Sequence, residues 1–218
     1  MSEEGLSRLS EQVRSTKARP YRMRRRAELV DQTRLRITEA AVRLHTTVGP
    51  ANTSISTVAE EAGVTRLTVY RHFADQDELF DACRRHFYEV NPTPDTEAWR
   101  AIPGLEDRAR RAFSDIYGWY GEHGAELFPI YRDMASMPRS TQEQVRTDAR
   151  ARADALVHGL TVPHEARRAL RAVAGHLLGL MTWRSLVVEQ GLGHDEAVEV
   201  AVRLLCAAAV QPLVNPPR

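Results

Sequence analysis

Residues 54–73, SISTVAEEAGVTRLTVYRHF, decide how the rest of this 218-residue chain is read. Ile55, Val58, Ala59 and Ala62 recur at i, i+3, i+4 and i+7, one apolar stripe on a short helix, and Ser54 or Ser56 supplies its cap. Gly63 stands where a helix C-terminus takes a left-handed residue, Val64 follows as a core plug, and Thr65 is a good N-cap for a second helix. The two helices therefore meet at a sharp corner, the layout of a helix-turn-helix.

In the second helix Val69 and Phe73 are spaced i, i+4 and face inward. Arg66, Leu67, Thr68, Tyr70, Arg71 and His72 are left on the outer side or the leading end. They comprise hydrogen-bond donors, phosphate binders and one group suited to a thymine methyl. A helix entering the DNA major groove reads base edges with residues near its N-terminus, and Arg bonds guanine bidentately. An ordinary helical hairpin with a polar outer face is the plainer alternative.

The segment resembles the DNA-binding domain of the TetR family of bacterial transcriptional regulators, whose run is close to A-x-x-A-G-V-S-x-x-T-(L/V)-Y-x-(H/Y)-F followed by an acidic helix start containing leucine. This chain has Ala59, Ala62, Gly63, Val64, Thr65, Thr68, Val69, Tyr70, His72 and Phe73 in those places, then Asp75, Asp77, Glu78, Leu79 and Phe80. The motif resemblance covers residues 27 to 90, and beyond that only the architecture. Leu67 departs from the small residue usual in the family, and Gln76 stands where a phosphate-binding Lys is common. The resemblance implies an all-α protein with an N-terminal three-helix DNA-binding domain and a larger C-terminal helical domain for effector binding and dimerisation. It implies a homodimeric repressor on a palindromic double-stranded operator, with no catalytic site and no cofactor.

Composition sets bounds on this reading. Forty-three per cent hydrophobic and 27% charged residues describe a soluble globular chain, long enough for one small and one larger domain. The net charge of +1 argues against a protein that coats nucleic acid along its whole surface. Positive charge is local instead: residues 14–26, RSTKARPYRMRRR, carry seven basic residues and no acid. Residues 1–26 read as a flexible basic arm interrupted by Pro20, with Arg22, Arg24, Arg25 and Arg26 able to track phosphates. The candidate DNA contacts are these four with Ser54, Ser56, Thr57, Thr65, Arg66, Leu67, Thr68, Tyr70, Arg71, His72 and Gln76. Cys83 and Cys206 lie far apart, which fits a reducing cytoplasm. No run approaches the ~20 apolar residues of a membrane span, and the histidines form no metal-binding pair.

The organisation expected is an arm (1–26), a helix-turn-helix domain (27–74) and a helical domain (75–218). A first helix carries Val30, Ile37, Ala41, Leu44 and Val48 up to Gly49-Pro50, and a fourth starts at Asp75 or Asp77 and carries Leu79, Cys83, Phe87 and Val90. Further helical segments are expected near 104–123, 125–136, 140–159, 163–190 and 194–211. Phe113, Tyr117 and Tyr120 give one helix an aromatic ridge. Together with Phe87, Phe128, Tyr131, Met134 and Trp183 they suggest an apolar cavity with a few hydrogen-bonding points, and the resemblance implies a small apolar or aromatic effector there. Broad apolar stripes at Leu170, Ala174, Leu177, Leu178 and Met181, and at Val198, Ala201, Val202, Leu205 and Ala208, suggest a two-fold dimer interface. The rival reading is an all-α small-molecule-binding or enzymatic domain in which the helix-turn-helix is incidental.

Overall fold

A computed structural model describes residues 3–210, with side chains described at Met23, Arg25 and from Ala27 onward. Ten α-helices and no strand occur among the described residues. Helix α1 (Glu3–Thr47) leads into α2 (Ile55–Glu61), α3 (Arg66–His72) and α4 (Gln76–Val90). The larger part comprises α5 (Thr96–Arg100), α6 (Leu105–Arg132), α7 (Arg139–Leu156), α8 (His164–Leu177), α9 (Leu180–Arg184) and α10 (His194–Val210).

Three segments differ from the expectation. The backbone of α1 is helical from Glu3 through Pro20, in place of an arm broken at the proline. Pro inside a helix removes one hydrogen bond, but Glu11, Gln12, Arg14, Lys17, Ala18 and Arg19 around it are strong helix formers. Helix α6 runs unbroken through Gly124, in place of a boundary between two segments. A Cβ there would sit 2.4 Å from the Trp183 ring, so the glycine serves a close crossing. The segment expected as one helix over 163–190 is instead interrupted at Leu178 and Gly179. Two tyrosines of α6 take the carbonyls freed at that break: Tyr117 donates its hydroxyl to Leu177 O at 2.8 Å and Tyr120 to Leu178 O at 3.0 Å.

Two apolar cores result. The first joins Ile37, Ala40 and Ala41 of α1 to Val58 and Ala59 of α2, Val69 of α3, Phe73, and Leu79, Ala82 and Cys83 of α4. The second is built on α6, wrapped by α7, α8 and α10, and takes Phe87 from the far end of α4. The division expected at 74/75 thus runs instead through α4, whose first half belongs to one core and whose last turns belong to the other.

Arg34 of α1 fastens the junction between α3 and α4. Its guanidinium donates to the His72 carbonyl at the open end of α3 and to Glu78 Oε1 at 2.8 Å, and stacks 4.1 Å over the Phe73 ring. Glu78 Oε2 accepts from Ala74 N at 2.8 Å, and Glu78 N donates to the Asp75 cap at 2.8 Å. The bond from Ala74 and then the Arg34 fork hold the Glu78 carboxyl below its ordinary range. Farther along α1, His45 is buried and stacks on Phe80 of α4, ring centroids 4.6 Å apart.

Two expectations follow. Burial pushes His45 from the ordinary 6.5 down to about 4, so the folded protein holds it neutral. The unfolded chain binds this proton more tightly, so stability is fully present above pH 6.5 and declines as pH falls toward 4, by ~3 kcal/mol in total. His45→Leu should flatten that part of the stability profile in urea titrations at about pH 7 and about pH 4.5. Arg34→Met, which keeps the aliphatic stem but leaves the His72 carbonyl unmatched, should lower the urea midpoint by the equivalent of about 1–3 kcal/mol with unchanged m. Arg34→Lys should recover only part of the loss, because an ammonium cannot span carbonyl, carboxylate and ring together.

Candidate functional site

The corner between α2 and α3 is closed by local bonds. Thr57 N donates to Ser54 Oγ at 3.2 Å and Ser54 N donates to Thr57 Oγ1 at 2.9 Å, a reciprocal cap at the start of α2. Gly63 adopts φ 64°, the left-handed conformation the turn requires, and Val64 N reaches back to Ala59 O at 2.9 Å. Thr65 then caps α3, accepting from Thr68 N at 3.2 Å, with the two hydroxyls 2.9 Å apart. The hydroxyls of Ser54, Thr57, Thr65 and Thr68, all candidate DNA contacts, are therefore occupied in holding the helices.

The outer face of α3 is what these caps present. Val69 and Phe73 are buried, whereas Leu67 is 70% and Tyr70 49% exposed, and Arg66 and Arg71 are exposed beside them. Arg66 and Tyr70 form one i, i+4 row and Leu67 and Arg71 the next, two parallel ridges on a seven-residue helix. His72 is half-buried; burial first, then the charges of Arg34 and Arg71, lower its pKa. Ser56, Gln76 and Arg25 are also exposed. The side chains of Arg22, Arg24 and Arg26 lie outside the described residues.

A second candidate region lies where the two cores meet. An apolar cavity of about 60 Å³ is bounded by Val42 and His45 of α1, Phe80, Cys83 and Phe87 of α4, Leu127, Ile130 and Tyr131 of α6, and Thr141 and Val145 of α7. Of the aromatic residues chosen from sequence, Phe87 and Tyr131 line it. Phe113, Tyr117, Tyr120 and Trp183 do not; they fill the second core, and the Tyr117 and Tyr120 phenols are committed to the α8 break, with burial raising both pKa values. Phe128 is half-buried under the Arg184 guanidinium at 3.9 Å. Met134 sits on the short turn Met134–Ser136, which packs against the turn Pro50–Asn52.

Sequence reading missed the polar side of this region. At Arg84 and Tyr88 the cavity adjoins an open groove of about 680 Å³ between α4 and α7, lined also by Gln144, Asp148 and Arg152. Arg84 is ion-paired with Asp148 across the two helices. The Tyr88 ring stacks on Trp119, centroids 6.1 Å apart, and burial pushes its phenol up to about 12. The spacing of Asp148 and Arg152, i and i+4 on a very polar helix, gives both the look of a solvated pair.

Two further joints couple the larger part to the helix-turn-helix. Asp133, just past α6, accepts from Ala51 N at 3.1 Å, and Arg132 donates to Val48 O at 2.9 Å while bridging to Asp133 at 2.7 Å. Ser140 Oγ donates to Asp77 at 2.6 Å, tying the start of α7 to the start of α4.

The dimer stripe needs correcting. Leu170, Ala174, Leu177, Leu178, Val198, Ala201, Val202 and Leu205 are buried within one chain, in the core that α8 and α10 form with each other and with α6 and α7. A residue that closes its own core offers nothing to a second copy. From that set only Met181 and, in part, Ala208 reach the surface; the outward large apolar groups of this region are Met181, Val188, Leu204 and Val210. Among the described residues, no group of three His, Cys, Asp or Glu side chains is arranged to hold a metal, and no helix is long and apolar enough to cross a membrane.

Comparison with known proteins accounts for this arrangement. The family model for bacterial regulatory proteins, tetR family, matches residues 37–83. Over 109 residues the chain is 34% identical to the HTH-type transcriptional regulator SrpR of Pseudomonas putida, covering 45% of this chain but only 51%, about half, of that relative. It is also 34% identical over 109 residues to TtgW, an uncharacterized HTH-type transcriptional regulator of Pseudomonas putida, covering 45% of this chain and 81% of TtgW. The fold matches the crystal structure of the multidrug binding protein EbrR complexed with imidazole, with TM-score 0.55 and 26% identity over 84% of this chain and 93% of that one. Motif, relatives and three-dimensional likeness agree, and the chain belongs to the bacterial regulatory proteins of the tetR family.

Proposed function

We propose that this protein is a transcriptional repressor that binds a palindromic operator as a homodimer inside the cell and is released by a small-molecule effector. The observation that carries the DNA reading is the outer face of α3. Its exposed Arg66, Leu67, Tyr70 and Arg71 stand on a helix capped by Thr65 at one end and by Arg34 at the other. Arg66, at the leading end, has the donors for a guanine edge; Leu67 suits a thymine methyl; Tyr70, Arg71 and His72 suit phosphates. The basic residues at 22, 24, 25 and 26 add sequence-independent attraction.

Release rests on α4, the helix shared by the two cores. A ligand entering between α4 and α7 displaces α4 relative to α6, and the Asp133–Ala51 and Ser140–Asp77 bonds carry the displacement to the DNA-reading unit. Two recognition helices of a dimer must sit ~34–36 Å apart to meet successive major-groove faces, so a small shift costs much of the specific affinity. The ligand acts only to the extent that it binds the displaced state more tightly. EbrR, described as a multidrug binding protein, lends support to a ligand-responsive reading of this fold.

Arg66→Ala should cost ~1–3 kcal/mol on the selected operator, relax specificity at one position, and leave affinity for random DNA nearly unchanged. Equal losses on both DNAs in a salt-controlled mobility-shift assay would contradict the base-reading role. For the dimer, neighbouring leucines give opposite outcomes. Leu204→Glu, at a site 52% exposed, should yield a helical monomer with weak operator binding, whereas Leu205→Glu, at a site 0% exposed, should unfold the chain. Sedimentation with circular dichroism distinguishes them.

A further inference from the structure

We propose that the effector is a small amphipathic carboxylate, its anionic head held by Arg152 in the groove between α4 and α7 and its apolar body directed past Tyr88 toward Phe87 and Tyr131. This rests on the reading of the protein as an effector-released regulator, and it assigns the chemistry of that effector.

The argument starts from an unmatched cation. Arg152 lies on α7 at the edge of the groove; its Nε is buried and, among the described residues, its guanidinium makes no hydrogen bond and no ion pair. The carboxylate one turn earlier, Asp148, is already engaged: one oxygen pairs with Arg84 and the other accepts from Gln144 at 3.0 Å. The groups within electrostatic reach of Arg152 are otherwise the phenols of Tyr120, Tyr131 and Tyr88. A partly desolvated charge gains from a partner, because burial strips part of its hydration. Arg152 is half-buried with its Nε shielded, and the groove it lines brings an entering anion to a guanidinium that no hydrogen bond or ion pair already holds.

A guanidinium that no partner holds takes a group with several acceptor lone pairs and one negative charge. A carboxylate fits, and its planar fork suits guanidinium.

The apolar half follows from continuity. Arg84 and Tyr88 border both the groove and the cavity of about 60 Å³, whose wall is Phe80, Phe87, Leu127, Ile130 and Tyr131. That cavity is too small for a phenyl ring as it stands, so a bound body must part α4 from α7 there. The carboxylate also competes with Asp148 for Arg84, the ion pair that joins those two helices. Binding and release are thus one event.

The test uses the full chain with three probes of one skeleton, 4-phenylbutanoate, its primary amide and 4-phenylbutylamine, and repeats the series with octanoate, octanamide and octylamine. Thermal shift and operator release are measured for wild type, Arg152→Met and Trp119→Phe. At least one carboxylate should raise the melting temperature and release operator at a concentration roughly ten-fold or more below its amide, with the amine silent. Arg152→Met should abolish that preference, whereas Trp119→Phe, whose ring lines neither the groove nor the cavity, should keep it. With no ligand present, Arg152→Met should melt close to wild type, because no hydrogen bond or ion pair is lost; a merely structural arginine would make it melt clearly lower. Amide or amine releasing operator as well as the acid would overturn the carboxylate assignment while leaving an effector-released repressor standing. Acid binding that depends on Arg152 but never releases operator would uphold the site and overturn its regulatory role. No thermal shift with any probe, together with a lower-melting Arg152→Met, would overturn the site itself.

Discussion

One helix of fifteen residues has to satisfy two cores at once, and the rest of the molecule is arranged around that demand. The early turns of α4 bury Leu79, Ala82 and Cys83 against α1 and the helix-turn-helix, and its later turns bury Phe87 against α6. An α-helix rises ~1.5 Å per residue and resists bending, so neither core can move α4 without disturbing the other. The apolar cavity occurs at the changeover, where side chains serving two packings leave space between them.

Arginine forks fasten three joints at or near this helix. Arg34 binds α1 to its start, Arg84 binds it to α7, and Arg132 binds the end of α6 to the backbone after α1. Each guanidinium engages a carbonyl or a carboxylate that the local fold has already oriented. These bonds are partly open to water and so contribute more to geometry than to stability. Arg152 has the same chemistry without the partner, and that contrast is what separates a fastener from a receptor.

Local signals carried the helix-turn-helix, and long-range ones did not show in the sequence. Ser54, Gly63 and Thr65 act within three or four residues of themselves, so their pattern is directly readable, as is the burial of Val69 and Phe73. Tyr117 and Tyr120 have the look of ligand-facing aromatics because the carbonyls they cap, at Leu177 and Leu178, lie in a helix break that periodicity does not mark. Leu170, Leu177 and Leu205 suggest a dimer seam because a helix buried inside its own bundle has as broad an apolar stripe as one buried against a second chain. Phe113 is drawn into the site by its helical spacing with Tyr117 and Tyr120, and Trp183 by its aromatic character. Arg152 is hidden by Asp148, since no pattern in the chain foretells that Arg84 takes that carboxylate first.

Gly49, where α1 ends, turns with φ 94°, and a Cβ at that point would stand 2.2 Å from Asp133 Oδ2. The carboxylate therefore rests with less than a methyl group's clearance above the chain it holds. Any side chain at position 49 would push that carboxylate and the Arg132 guanidinium beside it off the Ala51 and Val48 groups they hold, so this one glycine permits the clasp between the larger part and the DNA-reading unit.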